Sequence, residues 1–365
     1  ASALKPPDVL IVGAGVIGAS VAWHLASRGM TNVHVIDRGR EVGAGSTPRA
    51  TGGYRAQFGT DINVRLSLLS REKLRRFEQD VGVDPGYRPQ GYLFVASSQT
   101  KLDQLRAAQA IQHKAGLTEA RMISAENVRE LNPHIASGGI VGGAFCPSDG
   151  FIEPMAILNG YLTAAKRLGV RFEFGVPYTP KRSAPIMVNA AGAWAGEIAA
   201  IPITPLRRQV LPTVGTGPLT PDLPMTIFAE DAFHFRVRDD RVLLLWPGGA
   251  VPRNATDTTV DPKWLDHVER FTRERVPGLG NVKMDRAAAW AGLYDMSPDE
   301  HAILGRVGNM VFANGSSGHG VMHAPAIGQL VAEIILDGRA KTLDIGALRP
   351  SRFQEGKPIR GIEIF

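Results

Sequence analysis

The stretch Asp8–Asp37, DVLIVGAGVIGASVAWHLASRGMTNVHVID, decides how the rest of the chain is read. Val9–Val12 is an apolar run of the kind that forms a strand buried on both faces. Gly13, Gly15 and Gly18 then spell G-x-G-x-x-G, and Ala19–Ser27 has helical character. A second apolar run, Val33–Ile36, ends at Asp37, 19 positions after Gly18. Each part has a mechanical reason. Gly13 permits a tight turn, Gly15 lets backbone approach a pyrophosphate, and Gly18 lets helix pack close to strand. The first helical turn, with Val16 and Ile17, offers N–H groups and a partial positive charge to phosphates. Asp37 can accept hydrogen bonds from an adenosine ribose, with Arg38 beside it. Strand, glycines, helix, second strand and acidic end are in register, so the stretch predicts a dinucleotide site.

Bulk properties narrow the classes around that site. A chain of 365 residues can bury a large core and suggests two domains or one large composite. Hydrophobic residues make up 44% and charged residues 21%, as in ordinary globular proteins. The formal charge of +6 comes from scattered Arg and Lys, which suits an anionic cofactor and carboxylate substrates. The clusters Arg71–Arg76 and Arg207–Arg208 read as solvated helix faces or anion contacts. No basic run carries interleaved aromatics, so nucleic acid is not an expected partner. Cys146 is the single cysteine, which excludes an intramolecular disulfide and a zinc-type cysteine cluster. No apolar run reaches membrane-span length, and no basic-then-apolar leader precedes the first strand. These features predict a cytoplasmic protein without a membrane span.

Beyond Asp37, Gly43–Thr60 (GAGSTPRATGGYRAQFGT) has almost no apolar periodicity and reads as a loop or a helix N-terminus. Helical spacing appears in Ile62–Gln79, Lys101–Ala115, Ser124–Leu131, Glu153–Leu168 and Pro262–Arg275. Strands are expected at Tyr92–Ala96, within Gly138–Asp149, at Val170–Phe174, Ile186–Asn189 and Met310–Ala313. Thr204–Ala250 alternates between apolar runs and Pro/Gly breaks, which predicts an antiparallel sheet. Ala326–Asp337 is a final helix closed by Gly338, and the tail after Ala340 reads as a surface extension.

Five stretches in this order resemble the D-amino-acid oxidase and monomeric sarcosine oxidase superfamily. They are VGAGVIGAS, GSTPRATGGYR, VNAAGAWA, AGLYDMSPDEHAILG and ANGSSGHGVMHAPAIGQLVAEII, and together they span nearly the whole chain. Tyr294–His301, YDMSPDEH, is very close to the sarcosine-oxidase version, and the S-G-H-G-x-M-H-A-P form is similar to sarcosine oxidase β-type, dimethylglycine-type and proline-dehydrogenase subunits. The resemblance implies an α/β composite: a Rossmann-like FAD-binding domain (GR2-type) with an inserted mixed or antiparallel-sheet substrate domain. The FAD-binding parts would be 1–80, 151–200 and 291–345, the substrate parts 81–150 and 201–290, and 346–365 a C-terminal extension. A nicotinamide dehydrogenase is disfavoured, because such enzymes share only the first motif.

Further cofactor contacts follow from both readings. Ser46, Thr47 and the backbone around Ala50, Thr51 and Gly52 can donate to pyrophosphate or flavin oxygens, or form a plain solvated loop. Ala190, Ala191 and Gly192, with Trp194, let backbone lie against the cofactor at a strand end. Gly318, His319, Gly320, Val321 and Met322 lead into the last helix, whose N–H groups can face the flavin pyrimidine. Gly292, Leu293 and Tyr294 complete the expected cradle.

Arg55 falls where the sarcosine-oxidase loop carries an arginine for the substrate carboxylate, and a guanidinium fork suits that group; a surface or core-pairing role is the plain alternative. His234, between Phe233 and Phe235, either lines the substrate cavity or is structural. His301, His319 and His323 show no metal-like spacing, so no metal is expected. Tyr294 and Trp246 are cavity wall or core.

Three departures refine the expectation. Gly292 stands where monomeric sarcosine oxidases attach flavin through cysteine, and Arg49 where dimethylglycine dehydrogenases use histidine, so FAD would be non-covalent. Met322 replaces a lysine that assists in carboxylate binding. No lysine lies shortly after the Trp246–Gly249 turn, near where oxidases of the family keep one, which tilts the reading from oxidase towards dehydrogenase. The resemblance thus implies oxidation of the C–N bond of a secondary or tertiary (N-methyl or cyclic) amino acid, by hydride transfer to flavin N5. Oxygen or an electron-transfer partner would be the acceptor, in a homo- or hetero-oligomer. Glycine or primary D-amino acids, or a flavoprotein subunit inactive without a partner, are the alternatives.

Overall fold

The computed structural model describes residues 5–249 and 253–364. The opening motif builds strand β1 (Val9–Val12), helix α1 (Val16–Ser27) and strand β2 (Val33–Asp37). β1 lies parallel to β2 with Val9 opposite Val33, and parallel to Ile186–Asn189 with Val9 opposite Ile186. The six-stranded sheet runs Ile303–Val307, Met310–Asn314, Ile186–Asn189, β1, β2, Arg171–Phe174. Its centre must be apolar on both faces because both are covered. Val9 and Ile11 pack with α1 and the last helix, α2 (Gly320–Asp337), while Leu10 and Val12 pack with Val176, Tyr178 and Ala191 on the other side.

α2 begins six residues before the expected Ala326. Pro325 lies inside it, where a proline cannot donate to the preceding turn. Tertiary contacts compensate: the Ser20 hydroxyl donates to Ala324 O (2.7 Å), and Ala326 N donates to the Ser70 hydroxyl (3.2 Å). The expected helix Ile62–Gln79 is divided at Arg76 into Asp61–Arg75 and Phe77–Val81.

An eight-stranded sheet runs Trp290–Met296, Thr204–Pro212, Arg241–Leu245, His234–Arg238, Met225–Phe228, Tyr92–Ala96, Gly142–Cys146, Arg121–Ile123. Thr204–Pro212, His234–Arg238 and Trp290–Met296 are called β3, β4 and β5. The expected antiparallel sheet over Thr204–Ala250 is part of it, with Ala250 outside the described residues. It is mixed, because Met225–Phe228 lies parallel to Tyr92–Ala96. Helix Pro262–Arg275 covers one face, setting Trp264, Leu265 and Val268 against Phe233, Phe235 and Leu244. The expected division at 290/291 falls inside β5, which pairs with β3 throughout. Among the described residues no helix is long and apolar enough to cross a membrane.

The tail is not a surface extension. Leu348 and Arg352 are fully buried. The Arg352 guanidinium grips both oxygens of Asp299 (2.8 and 2.7 Å), and Ile359 N donates to the same carboxylate (2.9 Å). Farther on, Ile362 N donates to Gly59 O at 3.0 Å. Asp299 and His301 of the YDMSPDEH motif therefore work as a clamp, His301 pairing with the Thr60 hydroxyl at 2.8 Å. Breaking a buried ion pair by removing one partner strands the other charge. Arg352→Met is accordingly expected to lose about 3–5 kcal/mol in urea unfolding, and an unchanged midpoint would contradict the clamp.

Candidate functional site

A cavity of about 780 Å³ lies where the carboxyl end of β1, the N-termini of α1 and α2 and the inner face of the eight-stranded sheet meet. Every residue expected to contact cofactor or substrate borders it except Gly18. Gly18 serves the fold: a Cβ there would stand 1.9 Å from Gly13 O, so helix meets strand only because the side chain is missing. Gly13 is held similarly, with φ +110° and Ala190 O at 2.2 Å from a built Cβ. Gly15 is different. Its φ is −71°, open to any residue, and a Cβ would meet nothing closer than the Thr47 hydroxyl at 3.7 Å. The protein itself does not require glycine at 15, whereas a ligand backed onto this turn would.

The loop after β2 is docked onto this turn. Thr47 accepts from Val16 N (3.3 Å), leaving its own proton to donate. The Ser46 hydroxyl donates to Leu293 O (2.8 Å), which ties the loop to the opposite wall of the cavity. Ala50, Thr51 and Gly52 are held through their carbonyls by Arg238 and Arg236. The Asp37 carboxylate first organises the protein, accepting from Ala14 N and Gly39 N at 2.7 Å each. Arg38 stacks over the Trp194 ring (4.3 Å) and pairs with Glu197. Trp194 Nε1 is buried in the cavity wall and has no acceptor among the described residues.

On the opposite wall Arg49 NH1 donates to Ala291 O (3.1 Å), and a Cβ at Gly292 would lie 3.1 Å from Arg49 Cβ. Gly318, with φ +90°, accommodates the Tyr294 ring: its built Cβ would sit 2.4 Å from Tyr294 Cε2. The loop before α2 is pinned to β5 by Asp295, which accepts from the Ser316 hydroxyl (2.6 Å) and backbone N–H (3.2 Å). Gly320, Val321 and Met322 thus bring the α2 N-terminus to the cavity.

Arg55 is 2% exposed and faces the same space. Its NH1 donates to Gln57 O (2.6 Å), and its guanidinium lies 4.0 Å above the Phe58 ring. Burial pulls it down to about 10. Asp149 holds the adjoining backbone, accepting from Ala56 N (2.7 Å) and Gln57 Nε2 (3.1 Å). Burial pushes that carboxyl up to about 6, opposed by these hydrogen bonds. Between about pH 4 and 6 the folded chain keeps a proton that the unfolded chain releases, so stability falls as pH rises through that window and is level above it. Against Asp149→Asn, wild type is expected to lose about 3 kcal/mol from pH 4 to 6.5, measured by urea unfolding; parallel curves would refute the shift.

The histidines divide by partner. His234 Nδ1 faces Ala232 O (2.8 Å), and burial lowers it to about 4. His323 Nε2 donates to the Ser67 hydroxyl (2.8 Å), whose own proton goes to Asn63 O, and burial lowers it to about 3. His319 stacks edge-on to Phe58 and is likewise lowered by burial. All three are neutral at physiological pH. Among the described residues no three His, Cys, Asp or Glu side chains form a metal site.

Sequence reasoning missed Tyr92 and Ile364 in the cavity wall, and named Arg208 only as a solvated helix face or an anion contact. Arg207–Arg208 is neither a helix face nor solvated: both sit on β3, and Arg207 is buried with Asp257 (3.1 Å). Strand alternation would have separated the two, since neighbours on a strand leave opposite faces.

The family described as FAD dependent oxidoreductase (DAO) matches residues 8–334. FAD-dependent oxidoreductase domain-containing protein 1 of Bos taurus is 29% identical, covering 96% of this chain and 85% of that protein. Mitochondrial dimethylglycine dehydrogenase of Rattus norvegicus is 28% identical over 95% of this chain but 45% of that protein. Among solved structures, L-proline dehydrogenase from P. horikoshii superposes with TM-score 0.88 at 27% identity, covering 98% of this chain and 100% of that one. Glycine oxidase from Geobacillus kaustophilus gives 0.81 at 21% identity, covering 96% and 99%, a likeness of fold alone.

Proposed function

Because the chain belongs to the FAD-dependent DAO oxidoreductase family, we propose that it oxidises the C–N bond of a secondary or tertiary amino acid. The observation that carries this reading is Arg55, a buried guanidinium facing the cavity that the glycine cradle also borders. The cradle suits FAD on three counts: the unneeded glycine at 15, the unpaired Trp194 Nε1, and two helix N-termini on one cavity. Gly13–Ile17 and Thr47 would hold its phosphates, Asp37 its ribose, and Gly318–Met322 the flavin pyrimidine edge. FAD, when bound, supplies a two-electron acceptor for the hydride on the carbon next to nitrogen. Positions 49 and 292 face each other and carry arginine and glycine, neither of which forms a flavin bond, so attachment would be non-covalent.

Arg55 would orient the substrate through its carboxylate, and Tyr294, Tyr92 and Met322 would exclude water around the reacting carbon. Burial holds the Tyr294 hydroxyl up and the three histidines down, so none of these takes a proton near neutrality. The Arg55 charge disfavours an ammonium beside it, and the substrate would enter as free amine. Turnover efficiency is then expected to rise about tenfold per pH unit below the amine's own pKa; a profile flat in that range would remove this account. An N-substituted amino acid is favoured because the 27–28% identical relatives are named for dimethylglycine and proline.

The test is anaerobic titration of the FAD-loaded protein with sarcosine, dimethylglycine, L-proline, glycine and D-alanine. Bleaching by one of the first three supports the proposal, and admitting air separates oxygen from another acceptor. Bleaching by glycine or D-alanine alone moves it to primary amines. No bleaching by any points to a subunit that needs a partner or to a substrate outside this set, and failure to bind FAD refutes the reading.

A further inference from the structure

The cavity holds a second guanidinium, that of Arg208. It leaves the face of β3 opposite to Arg207, stands across from Gly292 in the β3–β5 register, and lies 5.5 Å from the Tyr294 ring. Among the described residues it forms no ion pair, and its one hydrogen bond runs from NH1 to Pro247 O at 3.3 Å. Burial lowers its pKa, while Tyr294 and the exposed Glu300, which also borders the cavity without bonding to it, favour the charged form. A guanidinium partly withdrawn from water onto a cavity wall, with no carboxylate bonded to it, gains from an anion that completes it. Arg55 and Arg208 border one cavity together with Tyr294 and His234, the two side chains on which both charges act.

We propose that this cavity takes an amino dicarboxylate: Arg55 holds the α-carboxylate and Arg208 a second carboxylate placed one or two carbons beyond the α-carbon. The substrate is then an N-alkylated acidic amino acid. Distal recognition by a guanidinium fork on a rigid strand adds selectivity as well as affinity. The inference rests on the oxidative reading for the reaction but not for the binding, which separates the two in a test.

The FAD-loaded protein is titrated, by calorimetry and by the shift in flavin absorbance, with three thioethers that have no amine to oxidise. These are 2-(methylthio)succinate, 2-(methylthio)glutarate and the monoacid 2-(methylthio)propionate. At least one diacid is expected to bind about 30-fold tighter than the monoacid. Arg208→Met and Arg208→Gln should bring that ratio to about threefold or less, whereas Arg55→Met weakens all three ligands. Equal affinities for diacids and monoacid, or a preference that survives both Arg208 variants, overturn the proposal. So does an Arg208 variant that loses FAD and keeps the preference, which would assign the residue to the cofactor. In parallel, N-methylaspartate, N-methylglutamate and N-methylalanine are tested for anaerobic bleaching. Diacid preference without bleaching by any amine counts against oxidation by the isolated chain and leaves the two-cation site standing. Bleaching without diacid preference does the reverse.

Discussion

Arg55→Met is expected to lower kcat/KM for the N-methyl substrate about 1,000-fold while the protein still binds FAD. The magnitude follows from what is removed. A buried, charge-assisted bidentate contact between guanidinium and carboxylate is worth about 4 kcal/mol when one partner is truncated, which is about three powers of ten in rate. The loss should appear mainly in substrate binding, because Arg55 contacts a part of the substrate that does not react. Methionine is the informative replacement. It is unbranched and fills similar space above Phe58, and it removes a charge that burial already disfavours. The cost to the fold includes at least the bond to Gln57 O, about 1 kcal/mol, and is read from thermal melting of the apoprotein. Arg55→Lys restores the charge without the fork and should recover only part of the affinity. Steady-state kinetics beside the ratio of flavin to protein absorbance measures all three. If KM is unchanged in Arg55→Met with FAD bound, the carboxylate is held elsewhere.

The second large effect separates fold from cofactor within one motif. Gly15→Val should cost the apoprotein about 1 kcal/mol at most, the loss of a favoured N-cap residue, since the new Cβ would meet only the Thr47 hydroxyl and φ is ordinary. FAD affinity should nevertheless fall at least about 100-fold, because the side chain occupies the space a pyrophosphate needs. Gly18→Ala should behave in the opposite sense. Its Cβ would overlap Gly13 O, a backbone atom that cannot swing away, so α1 must lift off β1. Overpacking of this kind costs about 1–3 kcal/mol or more, and the apoprotein should melt earlier. Thermal melting of both apoproteins, followed by fluorescence titration with FAD, gives the comparison. A Gly15→Val protein that keeps wild-type FAD affinity would show that nothing approaches this turn.

Some features were legible because their causes are local. The opening strand, turn and helix follow from an apolar run and three glycines, and Asp37 ends β2 as expected. Helix Pro262–Arg275 has the bounds its periodicity predicts, with Asp261 capping Lys263 N. Ser124 likewise caps helix Ala125–Leu131, accepting from Asn127 N. Where the reading failed, a distant partner had overruled a local preference. Pro325 should have delayed α2, but Ser20 and Ser70 satisfy the backbone groups around it. The polar tail should have been loose, but Asp299 offers it a buried counter-charge.

The sequence by itself therefore determined the nucleotide-binding βαβ unit, the family and the segments that would surround a flavin. Propensity, periodicity and glycine sterics act within a few residues and can be read along a line. Only the tertiary structure decided which side chains share the cavity. It set Arg49 against Gly292, buried Arg55 beside Tyr294 and Tyr92, and turned Arg208 inward while Arg207 turned to Asp257. Those choices depend on sheet register, where a one-residue slip would send every side chain to the other face. Register is settled by the packing of both sheets at once, not by any stretch of chain alone.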